Sequence, residues 1–357
     1  MNINKMSIEI RIDKISSAAA MAVTVKSIFI TKDRFSARSG DVIAARALTE
    51  NPTYGNLELP GGRLARIRKD DVILGVLGRR QALKGFVGDV PDEIGAGDHI
   101  HLLNMGGILG RALGQHSSLS DAIELEVLGS AVANNGKIIN ISNFAMPPAE
   151  KLHLSVPVIL VTGTCMNSGK TEAAIELIKT ATRRGIAPGG AKLSGIACLR
   201  DTLNMQDHGA IATSSFLDCG VPSTAGAEGL ADVARAVLNR VASFGPDIIV
   251  AELGDGIVGG YSVEQILSDG EIMSAVSSIV FCASDYVGVI GGQAVLARYG
   301  LKPDVISGPV TDSKMGEDFI TKNIGLPAAN GRRNPDKLFE LAFNRLAGKQ
   351  IIESSIA

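Results

Sequence analysis

The sequence predicts a mixed α/β chain of two domains. A β-rich, barrel- or sandwich-like domain is expected over residues 1–148. A three-layer, Rossmann-like α/β domain with a mostly parallel sheet is expected over residues 149–357. Short apolar runs divided by Gly and Asp turns fill the first half, and apolar strands alternate with helical stretches in the second. Between them lies Pro147-Pro148-Ala149-Glu150-Lys151, where two prolines stop both helix and ladder. The 357-residue length suits two domains, and the 45% hydrophobic content can supply a core to each.

In the first half, strands are expected at Val42–Ala44, Asp71–Leu74, His99–Leu103 and Leu125–Leu128. No stretch before residue 105 has a helical period. A faint echo puts a turn residue before three strand starts: Gly40-Asp41-Val42-Ile43, Asp70-Asp71-Val72-Ile73 and Gly97-Asp98-His99-Ile100. Hairpins of a small barrel or sandwich would repeat in this way. Arg63, Arg66, Arg68, Lys69, Arg79, Arg80 and Lys84 crowd one stretch. They read as a solvated face, the other reading being a contact for an anionic ligand. Asn104–Gly110 is a turn or a place of close backbone approach.

In the second half, Val156–Thr162 is a continuous apolar run suited to a strand buried on both faces. From Thr171 to Arg184, Ala174, Ile175, Ile178 and Ala181 fall on one helical face, and Gly185 marks the stop. Further strands are expected at Gly190–Leu193, Asp247–Ala251, Ser278–Ala283 and Asp304–Ser307. Helices are expected at Leu230–Ser243, Gly292–Tyr299 and Pro335–Ala347. Such alternation predicts a parallel sheet, with ligands at the carboxyl ends of its strands.

Composition excludes several classes. Lys plus Arg number 35 against 37 Asp plus Glu, which argues against a general polyanion binder. Aromatics are 4% and Trp is absent, so stacking on bases is not expected either, and no nucleic-acid partner is predicted. No run approaches the ~20 apolar residues of a membrane span, so no membrane partner is expected. The weak apolar run Ile15–Val25 follows Glu9 and Asp13 where a signal would be basic, and it is not read as a leader. Cys165, Cys198, Cys219 and Cys282 form no CxxC pair, which predicts reduced thiols in a cytoplasmic protein.

The sharpest feature is Gly163-Thr164-Cys165-Met166-Asn167-Ser168-Gly169-Lys170-Thr171. A buried strand precedes it and a helix follows. Its glycines let backbone N–H groups turn in on an anion at the positive end of the helix. This is a P-loop (Walker A) with one residue more than usual between its glycines. Gly163, Thr164, Asn167, Ser168, Gly169, Lys170 and Thr171 are the expected nucleotide contacts. Lys170 neutralises the outer phosphates and the Thr171 hydroxyl ligates Mg²⁺. The alternative is a βα turn that merely packs, with Lys170 buried at an unexplained cost.

Glu252 ends an apolar strand just before Gly254 and Gly256, where a carboxylate faces the loop and can bind Mg²⁺; otherwise it is a strand-end acid in solvent. Asp255 shares that role or belongs to an Asp-Gly turn. Asp285 and the Ser307–Ser313 stretch with Thr311 and Asp312 lie where loops contact a base or substrate. His208 reads as a partner-bonded residue and Cys165 as a packing residue.

The five-residue gap ending in Gly-Lys-Thr resembles dethiobiotin synthetase and its relatives in the SIMIBI class of P-loop proteins. Ala191-Lys192-Leu193-Ser194-Gly195 is similar to the second strand of that family, without the Pro that follows its Lys. Asp247–Gly256 is similar to the strand that ends there in an acidic Mg²⁺ ligand and a Gly-rich loop. The resemblance covers about residues 156–330. It implies that Lys192 stabilises charge on a transferred phosphoryl group, against the alternative of a snorkelling edge Lys. It implies Asp201 or Asp207 as a second metal ligand, against helix capping, and a homodimer. The loop equally resembles an uncharacterised P-loop family that includes D-glutamate N-acetyltransferases and shares the Gly-Thr-x-Cys beginning. That implies room for the nucleotide portion of coenzyme A. No Asn/Thr-Lys-x-Asp guanine-reading motif occurs, and position 164 is Thr rather than the Lys of partition ATPases.

The expected function is Mg²⁺-dependent binding of a nucleoside triphosphate, ATP, with hydrolysis or phosphoryl transfer that activates a small-molecule substrate. Lys170, Lys192 and Glu252 are the expected catalytic residues, with Thr171, Glu252 and Asp201 on the metal. An acyl-CoA-dependent N-acyltransferase and a nucleotide-gated binding module stand as alternatives.

Overall fold

The computed structural model describes residues 7–354, with side chains as far as residue 344. Residues 1–6 and 355–357 of the two expected domains lie outside the described residues. The chain divides into two compact units. The first takes residues through Met146 together with Ile196–Arg200 and Phe216–Gly226; the second takes Pro147–Gly195, Asp201–Ser215 and Ala227 onward. One cut in the Pro-containing stretch therefore does not describe the partition, because two later segments count with the first unit.

The first unit contains a ten-stranded sheet whose pairings run in a circuit. Glu124–Ala131 pairs with Val42–Ala47, which pairs with Val72–Leu77, which pairs with Ile108–Gln115. That strand pairs with His99–Asn104, which returns to Glu124–Ala131. Ile43 with Ala45, Ile100 with Leu102 and Leu125 with Val127 share one core, as the two-residue period of a strand requires.

The sequence echo has a geometric basis. Gly40, Asp70 and Gly97 all have positive φ, at 94°, 69° and 88°. The next residue in each case, Asp41, Asp71 or Asp98, turns its carboxylate back onto the N–H of Arg38, Arg68 or Gly95. Each aspartate thus closes a tight turn that launches a strand.

Glu58 is wholly buried and holds the inserted segment. One oxygen accepts from Ser17 Oγ at 2.5 Å and Leu199 N–H at 2.7 Å; the other accepts from Arg200 N–H at 2.9 Å and Cys198 Sγ at 3.1 Å.

The second unit is built on β1 (Val158–Gly163), α1 (Lys170–Arg183), β2 (Pro188–Ser194), α2 (Arg200–Asp207), β3 (Ala212–Ser215), α3 (Leu230–Ala242), β4 (Ile248–Leu253), α4 (Val263–Leu267), α5 (Gly270–Ala275), β5 (Val276–Cys282), α6 (Tyr286–Ala297), β6 (Val305–Ser307), α7 (Lys314–Phe319) and α8 (Pro335–Ser354). Its six strands lie in the order β3-β2-β4-β1-β5-β6, and every pairing is parallel. Every residue of β1, β2 and β4 is buried, so both faces of the sheet are covered. On one face Ala174, Leu177 and Ile178 of α1 meet Leu338 and Phe339 of α8 over Val161 and Val250. Sequence reading missed β3: Ala212-Thr213-Ser214-Ser215 has no apolar run and is a strand because it pairs with β2. Among the described residues no helix is long and apolar enough to cross a membrane.

Candidate functional site

The site grows from the carboxyl end of β1. At Gly163 a Cβ would lie 2.4 Å from the Cys282 carbonyl oxygen and 2.6 Å from Ser168 Oγ, so only glycine lets the loop turn there. Thr164 N–H donates to that same carbonyl at 3.0 Å, pinning the loop to β5. Asn167 and Gly169 take left-handed backbone, with φ of 64° and 89°. Gly169 then caps α1 without any side-chain hydrogen bond to the first turn. A helix of 14 residues thus presents its N-terminus to the loop uncovered by a side chain of its own cap.

Sheet register assembles the charged residues. Glu252 of β4 stands opposite Val161 of β1 on one side and Lys192 of β2 on the other. Thr171 Oγ1, one residue into α1, donates to Glu252 Oε1 at 2.9 Å. Lys192 Nζ lies 2.8 Å from that same oxygen and 2.8 Å from Asp201 Oδ2 in the first turn of α2. Thr171, Lys192, Asp201 and Glu252 therefore meet at one point, although 81 positions separate Thr171 from Glu252. Lys170 folds back over the loop, its Nζ donating to the Cys165 carbonyl at 2.7 Å.

Burial sets the electrostatics. It pulls the Lys170 ammonium below the usual lysine range, Glu252 opposing and Lys192 reinforcing that shift. Burial acts the same way on Lys192, but there Asp201 and Glu252 outweigh it and hold the ammonium above the ordinary value. Cys282, buried under the loop, has its thiol pushed up to about 12 by desolvation.

Glu252 is 1% exposed, yet its Oε2 has no hydrogen-bond partner. A buried carboxylate oxygen normally finds a donor. The groups at hand are a hydroxyl and carboxylates, the hard oxygen donors that suit Mg²⁺. Among the described residues no cluster of three His, Cys, Asp or Glu forms a metal cage. The Thr171 hydroxyl and the carboxylates of Glu252 and Asp201 suit Mg²⁺ by the chemistry of their oxygens.

Beside the start of α1 is a cleft of about 210 Å³, lined by Asn167, Glu172, Ser307, Asp312, Asn330 and Arg332 among others. The Ser307–Ser313 loop does reach it. Thr311 is buried and bonds its own Gly308 carbonyl at 2.7 Å, while Asn330 Nδ2 reaches Asp312 at 2.8 Å. Sequence reading missed Asn330, Glu172 and Arg332. The polar run Asn330-Gly331-Arg332-Arg333-Asn334 after β6 was the available signal.

Other candidates have local partners. Asp285 caps α6 by accepting from Gly288 N–H at 2.7 Å. His208, just past α2, meets the Asn204 carbonyl of that helix at 2.8 Å. Asp255 takes a positive φ of 67° in the Gly-rich loop after β4, and its charge acts on Lys170. Asp207, at the end of α2, is exposed. Cys165, partly exposed, lies 3.8 Å from Thr164 Oγ1.

In the first unit the basic stretch is paired off piecemeal. Arg66 bonds the Pro52 carbonyl, Arg68 meets Glu50, Arg79 meets Asp89, and Arg80 is buried over the Phe86 ring. The Asn104–Gly110 turn makes its close approach to the chain itself. Asn104 Nδ2 donates to the Ala197 carbonyl at 2.7 Å, and a Cβ on Gly106 would lie 2.1 Å from that oxygen.

No family model and no curated protein matches the chain. Among solved structures it is similar to signal recognition particle 54 kDa protein from Aeropyrum pernix in complex with GDP, at 16% identity and a TM-score of 0.38. That match covers 60% of this chain and 54% of the other. It is similar to chloroplast FtsY from Physcomitrella patens at 13% identity and a TM-score of 0.38, over 55% and 69% of the two chains. A DUF1611 family protein from Anabaena variabilis aligns at 12% identity and a TM-score of 0.36, over 55% and 62%. The chain thus spans about half the length of the first of these, 54%.

Proposed function

We propose that the second unit binds Mg²⁺ and ATP and hydrolyses it or transfers its terminal phosphoryl group to activate a small carboxylate or amine. One observation carries this reading: beside a helix N-terminus without a side-chain cap, Thr171 and Lys192 converge on one Glu252 oxygen, the other Glu252 oxygen has no hydrogen-bond partner, and Lys170 lies folded over the loop. The loop amides and the N-terminus of α1 hold the phosphates, and Lys170 leaves the Cys165 carbonyl to neutralise them. Thr171 and Glu252, with Asp201 nearby, hold the metal. Mg²⁺, when bound, neutralises charge on the outer phosphates. Lys192 stabilises the group in flight, so that positioning and charge do most of the work. ATP is proposed rather than GTP because the sequence has no guanine-reading motif, and phosphoryl transfer because the loop sequence resembles that of dethiobiotin synthetase.

Calorimetric titration with ATP, GTP and acetyl-CoA, each with and without Mg²⁺, tests it. The expected result is Mg²⁺-dependent ATP binding that weakens by about 10- to 100-fold in Lys170→Ala, the worth of a charged hydrogen bond. Wild-type affinity in that variant, or acetyl-CoA binding without Mg²⁺ in place of ATP, would overturn it.

A further inference from the structure

Lys192 does more than wait for phosphate. Its ammonium sits 2.8 Å from each of Glu252 and Asp201, at the place where the proposed metal ligands converge. Both Lys192 and Glu252 are almost wholly buried, at 7% and 1% exposure. Glu252, Asp201 and the ammonium groups of Lys192 and Lys170, with Asp255 also acting on Lys170, leave this centre within about one charge of neutral. A divalent cation entering alone would add two positive charges beside two ammoniums in a poorly solvated interior, where charge is costly unless paired. A polyanion entering alone would meet Glu252 and Asp201. When they enter together, the cation offsets part of the triphosphate's charge and the two ammoniums can meet the rest.

We infer that Lys192 is a resident cation: it holds the metal-binding carboxylates in the nucleotide-free protein and makes metal and triphosphate bind only as a pair. With both bound, Glu252 would serve the metal, and Lys192, released from it, would turn to the terminal phosphate. Oε2, buried and without a hydrogen-bond partner, is the oxygen not already committed, while Oε1 is occupied by Lys192 and Thr171. This rests on the nucleotide reading above only for its second half; exclusion of the lone metal depends on Lys192 and the carboxylates alone.

Mn²⁺ is the probe, because it accepts the same oxygen ligands and its free form is counted by paramagnetic resonance. Without nucleotide, wild-type protein should bind Mn²⁺ weakly at this site. Lys192→Met should bind it about tenfold tighter or more, and the added Glu252→Gln change should abolish that gain. In the wild type, a non-hydrolysable ATP analogue and Mn²⁺ should each tighten the other by the same factor, about 10-fold or more, as linkage demands. Equal Mn²⁺ affinity in folded Lys192→Met and wild type would overturn the inference. So would tight nucleotide-free binding in the wild type that Glu252→Gln removes, an outcome readable even if Lys192→Met fails to fold. Failure of the analogue to bind at all would instead strike the nucleotide reading and leave the Mn²⁺ comparison standing.

Discussion

Two buried glutamates, Glu58 in the first unit and Glu252 in the second, are chemically alike and satisfied in opposite ways. Each lies in a strand and is hidden from solvent, at 0% and 1% exposure. Glu58 has both oxygens occupied by four donors, two of them backbone N–H groups. Glu252 has its contacts crowded on one oxygen, which takes a hydroxyl and an ammonium, while the other has none. A buried charge with complete partners fixes a fold, whereas one left incomplete keeps an acceptor to spare.

Breaking each carboxylate should separate the two roles. Glu58→Ala strands two N–H groups and a hydroxyl, and urea melts should show a loss of about 3 kcal/mol or more. Glu252→Gln keeps an acceptor for Thr171 and leaves Lys192 its Asp201. Its stability should change by about 1 kcal/mol or less, while MgATP affinity falls by about tenfold or more in titration calorimetry. Equal destabilisation by both changes would erase the distinction.

A smaller effect tests the closeness of the second site. A Cβ on Gly256 would lie 2.1 Å from the Thr164 carbonyl, so Gly256→Ala must displace the loop. Nucleotide affinity should drop about tenfold, with about 1–3 kcal/mol of stability lost.

The pH dependence sharpens the comparison further. Lys170 titrates lower in the folded chain than its ordinary 10.5, so the unfolded chain binds more protons between those two values. Stability contributed through Lys170 should therefore rise with pH across that window. Denaturant melts at stepped alkaline pH should show this rise in the wild type and not in Lys170→Met. The smallest effect concerns thiols. Cys282, raised to about 12 and buried, should stay unalkylated by iodoacetamide at mildly alkaline pH. The partly exposed Cys165 should react and be shielded by bound MgATP, as peptide mass mapping would report.

Much of the second unit was legible because its signals are local. The apolar run ending at Gly163 and the helical face from Ala174 to Ala181 are short-range patterns, and the structure has β1 and α1 there with ends moved by a residue or two. The strand ending near Glu252 was equally plain. The assignments that stayed open needed long-range information. Lys192 could be read as stabilising a transferred phosphoryl group or as a snorkelling strand-edge lysine, and only the pairing of β2 with β4 put it beside Glu252. The Asn330–Arg332 segment has no pattern tying it to Asn167, which lies across the same cleft. Glu58 was not singled out, since nothing near it in sequence foretells that Leu199 and Arg200 return to it.

By itself, then, the amino-acid order determined a glycine-bounded turn between a buried strand and a helix, because glycine freedom and apolar period act over a few residues. Only the folded chain decided which charges face one another. Strand register brought Lys192 beside Glu252, and the path of the chain into α2 brought Asp201 to the same ammonium. Charge pairing depends on distances of a few ångströms between residues far apart in sequence, and packing alone sets those distances.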